Sequence, residues 1–423
     1  MAASRDVTIR DGNDSTRSPM SALEYLSLGD PTIRADRFAT YRRLRDDNPI
    51  ARVEPDGARV VLTRYADVER IFKDPLMRVQ PKAGEYPADI GSGPGATFHK
   101  LSLPDMDPPT HTRLRKLVSP AFAPRALAHM RSWVERIITD NVEALADVDG
   151  EVDFVEHFGM RVPAEIACRL LHAPAADAAT VLRRMPALNP VLTHTPLTPR
   201  QLAAADEAAQ FYFDYIGEIV DSKRGKLGPE DPVGALMLAE EEGGRLSRDE
   251  LIVTLVGFFI ASYHTTMVAM TNAVHALLSH PDQMRLLADD PDLAPAAWEE
   301  VLRWQSPVHF ISRYAGYDFE LHGATITEGT QLMLGLAAAN RDERRFTDPD
   351  TFDIRRANNR HLAFTAGGHY CIGAPLSRLE GDILLRLLPQ RLPAMTLTDS
   401  NPPWNDELVF PSMTALKVAP KGM

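Results

Sequence analysis

Cysteine is almost missing from this chain of 423 residues, which holds only Cys168 and Cys371. A disulfide framework is therefore excluded, and a reducing, cytoplasmic setting is expected. Hydrophobic runs are short. The longest, Leu251 to Ala261, is broken by Thr254 and falls below the length that spans a bilayer, so no membrane is expected. The first residues carry no apolar run ahead of a small-residue cleavage site, so no secretory leader is expected. Positive charge is in deficit, with 46 Lys and Arg against 58 Asp and Glu and a net charge of −12. That balance argues against nucleic acid as a partner, because phosphate binding needs clustered cations. No internal repeat is visible. What remains is ordinary: 44% hydrophobic and 25% charged residues, which excludes disorder, collagen and coiled coil as global descriptions.

Residues 1–18 are polar and charged and read as a disordered arm, with one domain expected over 19–423. Two β-prone runs flank Asp56-Gly57, a hairpin signal. Helical periodicity follows over 64–74. Gln80 to Met106 is rich in Pro, Gly and Asp and reads as a long functional loop. Helix dominates from Pro108 to about Pro281, with breaks at 189–199 and 227–232. The last helix there, about Arg248 to Ser279, has clear ends. Ser247 and Glu250 form a capping box, Leu246 and Leu251 a hydrophobic staple, and His280-Pro281 a stop. Being apolar on nearly all sides over 251–261, it must cross the core. After 305 short strands appear, then an irregular stretch from Asn340 to Phe364, a helix over about 375–392 and a C-terminal strand region.

The most informative segment is Phe364-Thr-Ala-Gly-Gly-His-Tyr-Cys-Ile-Gly373, followed directly by helix. Gly367 and Gly373 let the backbone turn around the sulfur, and amides at a helix N-terminus stabilise a thiolate. With no other zinc ligand at a suitable spacing, a lone thiolate suits either an axial heme ligand or a nucleophile. The pattern matches Phe-x-x-Gly-x-His-x-Cys-x-Gly and resembles the heme-binding loop of the cytochrome P-450 family. The resemblance implies a mainly α fold with a smaller β portion, and heme b held between the long helix and the cysteine loop. Cys371 would ligate the iron within the frame of Phe364 and Gly373. Glu300-Val-Leu-Arg303 is similar to the family's Glu-x-x-Arg, whose structural partner in the irregular stretch would be Arg356. Alone that pair carries nothing, since Glu242-Gly-Gly-Arg245 has the same spacing. The segment Asp107-Pro-Pro-Thr-His111-Thr-Arg-Leu-Arg115 also resembles the family's. By that likeness His111, Arg115, Arg313 and His369 reach the heme propionates, which need charge-assisted donors when buried.

On the long helix the family pattern Ala/Gly-Gly-x-Asp/Glu-Thr reads here Ala261-Ser262-Tyr263-His264-Thr265. Ser262 stands for the usual glycine and His264 for the usual acid, while Thr265 is retained. A thiolate ligand favours O–O cleavage, which consumes protons. Thr265 is expected to donate a hydrogen bond to the distal oxygen, and His264 either relays protons or does nothing specific. By position, Gly257, Ile260, Ala261, Thr265, Val308, His309, Phe410 and Met413 line the substrate pocket. His309 either binds a carboxylate or phenol or is buttressed by protein. The lining is apolar, so a hydrophobic small molecule is expected. Likeness to soluble bacterial members implies O2 as co-substrate and electrons from a separate ferredoxin and its reductase. Arg113, Lys116 and Arg378 are candidates for its docking patch. The leading reading is a monooxygenase of specialised metabolism. A non-standard heme–thiolate reaction (C–C cleavage or coupling, nitration or a peroxide-driven step) and a non-catalytic heme-binding scaffold are the alternatives.

Overall fold

The protein is seen as a computed structural model that describes residues 25–26, 33, 35–53, 59–82, 85–86, 90–188, 191, 197–241 and 245–422. The expected arm over 1–18 and the Asp56-Gly57 turn lie outside the described residues. Twelve α-helices of eight residues or more occur among them: α1 Arg37–Asp47, α2 Tyr65–Lys73, α3 Pro94–Leu101, α4 Thr110–Val118, α5 Pro124–Ala146, α6 Arg161–Leu170, α7 Pro199–Lys223, α8 Pro232–Glu241, α9 Arg248–Ser279, α10 Pro281–Asp289, α11 Ala294–Trp304 and α12 Ala374–Arg391. The strands are β1 Tyr25–Leu26, β2 Ile50–Val53, β3 Arg59–Leu62, β4 Val152–Asp153, β5 Phe310–Tyr314, β6 Phe319–Leu321, β7 Ala324–Ile326, β8 Gln331–Gly335, β9 Thr396–Leu397 and β10 Lys417–Ala419. The mainly α character with a smaller β portion is as expected.

The predicted hairpin is present as the antiparallel pair β2–β3, with Ile50 opposite Leu62 and Val53 opposite Arg59. Sequence-distant strands complete its sheet in the order β1-β2-β3-β8-β5, and β4-β10-β9 and the β6–β7 hairpin form two smaller sheets. The helix α9 begins at the predicted capping box, with both reciprocal bonds between Ser247 and Glu250 formed. Its staple residues Leu246 and Leu251 are buried. At 1.5 Å per residue it is a rod about 48 Å long. By length and composition α9 would suffice to cross a bilayer, yet 72% of its most apolar window is buried inside the protein. It is the central core helix, packed by α6, α7, α11 and α12.

The stretch 80–106 departs from the expected loop, since it contains α3 and a 3-10 turn at Leu103–Asp105. Pro94 occupies the first helical turn, where its missing N–H costs nothing. Gly93, the cap residue, has no side chain to signal a helix start.

Candidate active site

The cysteine loop is held by its own backbone. Cys371 N–H donates to Phe364 O at 3.0 Å, and Thr365 Oγ1 donates to His369 O at 3.0 Å. Gly367 has φ +68, and a Cβ there would stand 2.1 Å from Phe72 O, so only glycine fits. Gly373 does not turn the chain in this way. Its φ of −83 is open to any residue, and a Cβ would lie 3.9 Å from Cys371 Sγ. It leaves room beside the sulfur. Burial pushes the Cys371 thiol up, against the Gly373 and Ala374 N–H groups and the Arg115 and Arg378 charges. Arg378 is fixed by Glu299 at 2.8 and 3.0 Å and lies 4.9 Å from the ring of Phe364.

Four basic side chains gather beside this loop. The rings of His111, on α4, and His369 stack at 3.9 Å. Arg115, one turn further along α4, donates to Tyr370 O at 2.5 Å. Burial, with the charges of Arg115 and Arg313, lowers His111 to about 4. Burial first, then Arg313, His111 and Arg115, lowers His369 to about 2. Arg313, on β5, is lowered to about 10 by burial, partly offset by Asp107 and Asp105. Burial beside two guanidinium groups thus keeps both imidazoles neutral, and among the described residues His111 Nε2 is buried without a hydrogen-bond partner. Such a cluster fits an anion bearing two carboxylates, next to one sulfur flanked by amides. The donor set matches heme, with Cys371 for the iron and two guanidinium groups and two neutral imidazoles as hydrogen-bond donors for the propionates.

The line of α9 expected to face the group is exposed where the rest of the helix is not. Between Leu251 and Val274 every residue is buried except Gly257, Ala261, Ser262, His264 and Thr265. A Cβ on Gly257 would meet open space. These residues therefore wall an internal hollow, while Ile260 is 8% exposed and turns into the core. Thr265 Oγ1 donates to Ala261 O at 2.7 Å, so its hydrogen is engaged within the helix instead of being free to donate outward as expected, and its oxygen keeps acceptor capacity. Ser262 Oγ donates to Phe259 O at 3.2 Å. His264 meets the ring of Phe410 edge-on, with centroids 5.6 Å apart. Burial lowers its pKa, which keeps the imidazole neutral at physiological pH.

Other pocket expectations fare differently. Phe410 and Val308 are partly exposed, whereas Met413 is 3% exposed and packs into the core. His309 lines nothing: it is fully buried. It pairs through Nδ1 with Tyr41 OH at 2.9 Å, so the geometry supports the buttressed alternative. Burial and the charges of Arg37 and Arg341 lower it to about 3. Unfolded, it would titrate near 6.5, so the unfolded chain binds the extra proton between these values. Stability contributed by neutral His309 is therefore complete above about pH 6.5 and falls by about 1.4 kcal/mol per pH unit as pH drops toward 3. Melting temperatures from pH 7 to 5 should fall less steeply for His309→Gln than for the parent; equal slopes would refute this account.

The irregular stretch is locked from behind. Arg303 and Glu300, both 0% exposed, pair at 2.7 and 2.8 Å. Arg356 Nε reaches the same carboxylate at 3.1 Å, as the resemblance implied. Asp353 N–H and Asn359 Nδ2 also donate to it, at 3.0 and 3.1 Å. Arg303 spends its other donors on the carbonyls of Asn340, Pro349 and Thr351. Of the expected docking cations, Arg113 is paired with Glu250 and Arg378 with Glu299, while Lys116 is exposed.

One residue was missed from the sequence. Glu380, on α12, is 1% exposed and, among the described residues, receives only Thr266 Oγ1 at 3.4 Å. Burial raises its pKa to about 8, so it is a neutral acid below that pH. The signal was available: Leu376, Leu379, Glu380, Ile383 and Leu384 form one buried helical face containing a single acid.

Comparison with known proteins agrees with this geometry. The family profile described as Cytochrome P450 matches residues 49–292 and 292–417. The chain is 36% identical to the cytochrome P450 monooxygenase PikC of Streptomyces venezuelae, over 97% of this chain and 96% of that one. It is 31% identical to the 6-deoxyerythronolide B hydroxylase of Saccharopolyspora erythraea, over 88% of this chain and 92% of that one. Among solved structures, epothilone B-bound cytochrome P450epoK superposes with a TM-score of 0.86 at 29% identity, covering 94% of this chain and 100% of that one. A thiolate-ligated heme is thereby implied for the site around Cys371, and the expectation of an oxygen-inserting oxidoreductase is met. The chain belongs to the cytochrome P450 family, as a soluble bacterial-type monooxygenase.

Proposed function

We propose that this P450 inserts one atom of O2 into a bulky, largely apolar secondary metabolite, with electrons from a separate ferredoxin and its reductase in the cytoplasm. The observation that carries the reading is the exposed row Gly257, Ala261 and Thr265 within an otherwise buried helix. Gly257 and Ala261 make its apolar part, with Ser262, His264 and Thr265 as the polar groups at one end, and such walls suit largely hydrophobic ligands with a few anchors. Relatives named for mycinamicin IV, 6-deoxyerythronolide B and vitamin D3 support a substrate of that size and character. The heme, when bound, supplies activation of O2. Cys371 holds it through a thiolate stabilised by the Gly373 and Ala374 N–H groups. His111, Arg115, Arg313 and His369 would fix its carboxylates. Thr265 offers an acceptor oxygen toward the hollow, and neutral His264 can take a proton at one ring nitrogen and release one from the other.

The test has two arms. Titration of holoenzyme with 6-deoxyerythronolide B, epothilone B or vitamin D3 should shift the heme spin state for at least one of them, and glucose should not; the reverse pattern would overturn the substrate class. Turnover with a surrogate ferredoxin pair should then yield a product carrying one added oxygen. In that assay His264→Ala should lower product per NADPH by about tenfold or more and raise peroxide release. Unchanged coupling at saturating substrate would remove His264 from the proton path. The departures at Ser262 and His264 also favour a second reading, a non-standard heme–thiolate reaction, which a rearranged or cleaved product would reveal.

A further inference from the structure

The turn between Trp404 and Met413 is built around one side chain. Asn405 Nδ2 donates to Phe410 O at 3.2 Å and to Ser412 Oγ at 2.9 Å. Its Oδ1 receives Ser412 N–H at 3.1 Å, and its own N–H donates to Ser412 O at 2.9 Å. The residue before Phe410 is tied as well, because His309 N–H donates to Val409 O at 2.9 Å. Pro411, Ser412 and Met413 are buried, while Phe410 is left partly exposed. A ring on so braced a backbone has few places to go. It meets His264 of α9, with centroids 5.6 Å apart and ring planes at 79°, the edge-to-face arrangement that aromatic quadrupoles favour. Among the described residues no hydrogen bond reaches the His264 imidazole, and Phe410 is its one aromatic contact. The histidine at the usual acid position is thus oriented by a ring and not by a polar partner.

We propose that Phe410 is a positioning residue for His264: its ring, presented by the Asn405 turn, holds the imidazole in the one orientation from which it hands protons into the hollow. Phe410 carries no proton itself. Without the ring, the two side-chain torsions of His264 have no tether, and the imidazole spreads over several rotamers. The proposal rests on the reading of His264 as a proton carrier, and its test separates the two.

The experiment uses the holoenzyme and has two readouts. The first is NMR of ring-labelled histidine in the reduced, CO-bound protein, with the His264 signal identified by its absence from His264→Ala. In the parent it should titrate below the ordinary 6.5, since burial lowers it, and Phe410→Ala should move the midpoint up as the imidazole gains water. The second is product per NADPH at saturating substrate, where a residue that only bound substrate would have no effect. An aromatic contact of this kind corresponds to a population ratio of about fivefold, so Phe410→Ala should lower coupling about fivefold and raise peroxide release. Phe410→Tyr retains the ring and should recover coupling to within about twofold of the parent. Asn405→Ala keeps the ring but frees its turn, and should move coupling in the same direction as Phe410→Ala, which keeps the test alive if that variant fails to fold. In the His264→Ala background Phe410→Ala should change nothing further, because it acts through that imidazole alone. The proposal is overturned if Phe410→Ala leaves the NMR midpoint or the coupling where they were, or if it lowers coupling again in the His264→Ala background, which would make Phe410 a barrier to water instead. Lost coupling in His264→Ala with none lost in Phe410→Ala overturns the positioning role alone, whereas intact coupling in His264→Ala overturns the proton-carrier reading and this proposal with it.

Discussion

Replacing Cys371 by serine should abolish the red-shifted Soret band of the reduced, CO-treated protein and bring product formation below detection. The physical reason is the ligand's charge. The loop stabilises a thiolate with two backbone N–H groups and two nearby guanidinium groups, against the cost of burial. A serine hydroxyl is far less acidic than a thiol, and the same amides do not make it an anion at neutral pH. Heme content should fall less than the spectrum changes, because His111, Arg115, Arg313 and His369 remain to hold two carboxylates. The control is the other cysteine. Cys168, on α6, is 1% exposed, and burial pushes its thiol up to about 11. Cys168→Ser should leave the CO spectrum untouched. A normal thiolate band surviving in Cys371→Ser would mean that the iron ligand is elsewhere.

The second large effect concerns Glu300. Its carboxylate receives Arg303, Arg356, Asn359 and the Asp353 N–H in a place closed to bulk solvent. Glu300→Ala would leave two guanidinium groups facing each other across a void, and removing one partner of a buried pair costs about 3–5 kcal/mol. Against a typical domain stability of about 5–15 kcal/mol, that is enough to unfold much of the population. The expected outcome is protein purified with little heme and a melting temperature lowered by several degrees. Arg303→Ala should be nearly as damaging, since it also orphans three carbonyls of the irregular stretch. Arg356→Ala should be milder, because its side chain reaches the surface with 11% exposure. If all three lost only activity, with heme and stability intact, these residues would be acting on the chemistry rather than on the frame.

Several local features were legible without coordinates because their causes are local. The reach of α9 follows from its capping box, staple and terminal proline, and the β2–β3 hairpin from alternation around a turn. The loop around Cys371 could be read because a glycine with positive φ and a sulfur at a helix start are short-range requirements. The site residues on α9 and in Glu300-Val-Leu-Arg303 were reached through resemblance, and the structure adds what each one touches.

Misreadings fell where the deciding partner is distant in sequence. The helix α3 was hidden within 80–106 because its cap, Asp206, lies on another helix, and local capping rules see only neighbours. His309 was left open between ligand binding and buttressing because nothing near it in sequence shows Tyr41 pairing with it. Glu380 went unnoticed because only the fold shows that, among the described residues, its one hydrogen bond comes from Thr266 of α9, in a buried place that keeps it protonated at neutral pH. Residue types, helix ends and the metal-binding loop were thus determined by the sequence itself, because backbone propensity and capping act over a few residues. Which charges pair, which polar atoms lose water and which side chains border the hollow were decided only by tertiary packing, because burial and electrostatics depend on what the fold brings alongside.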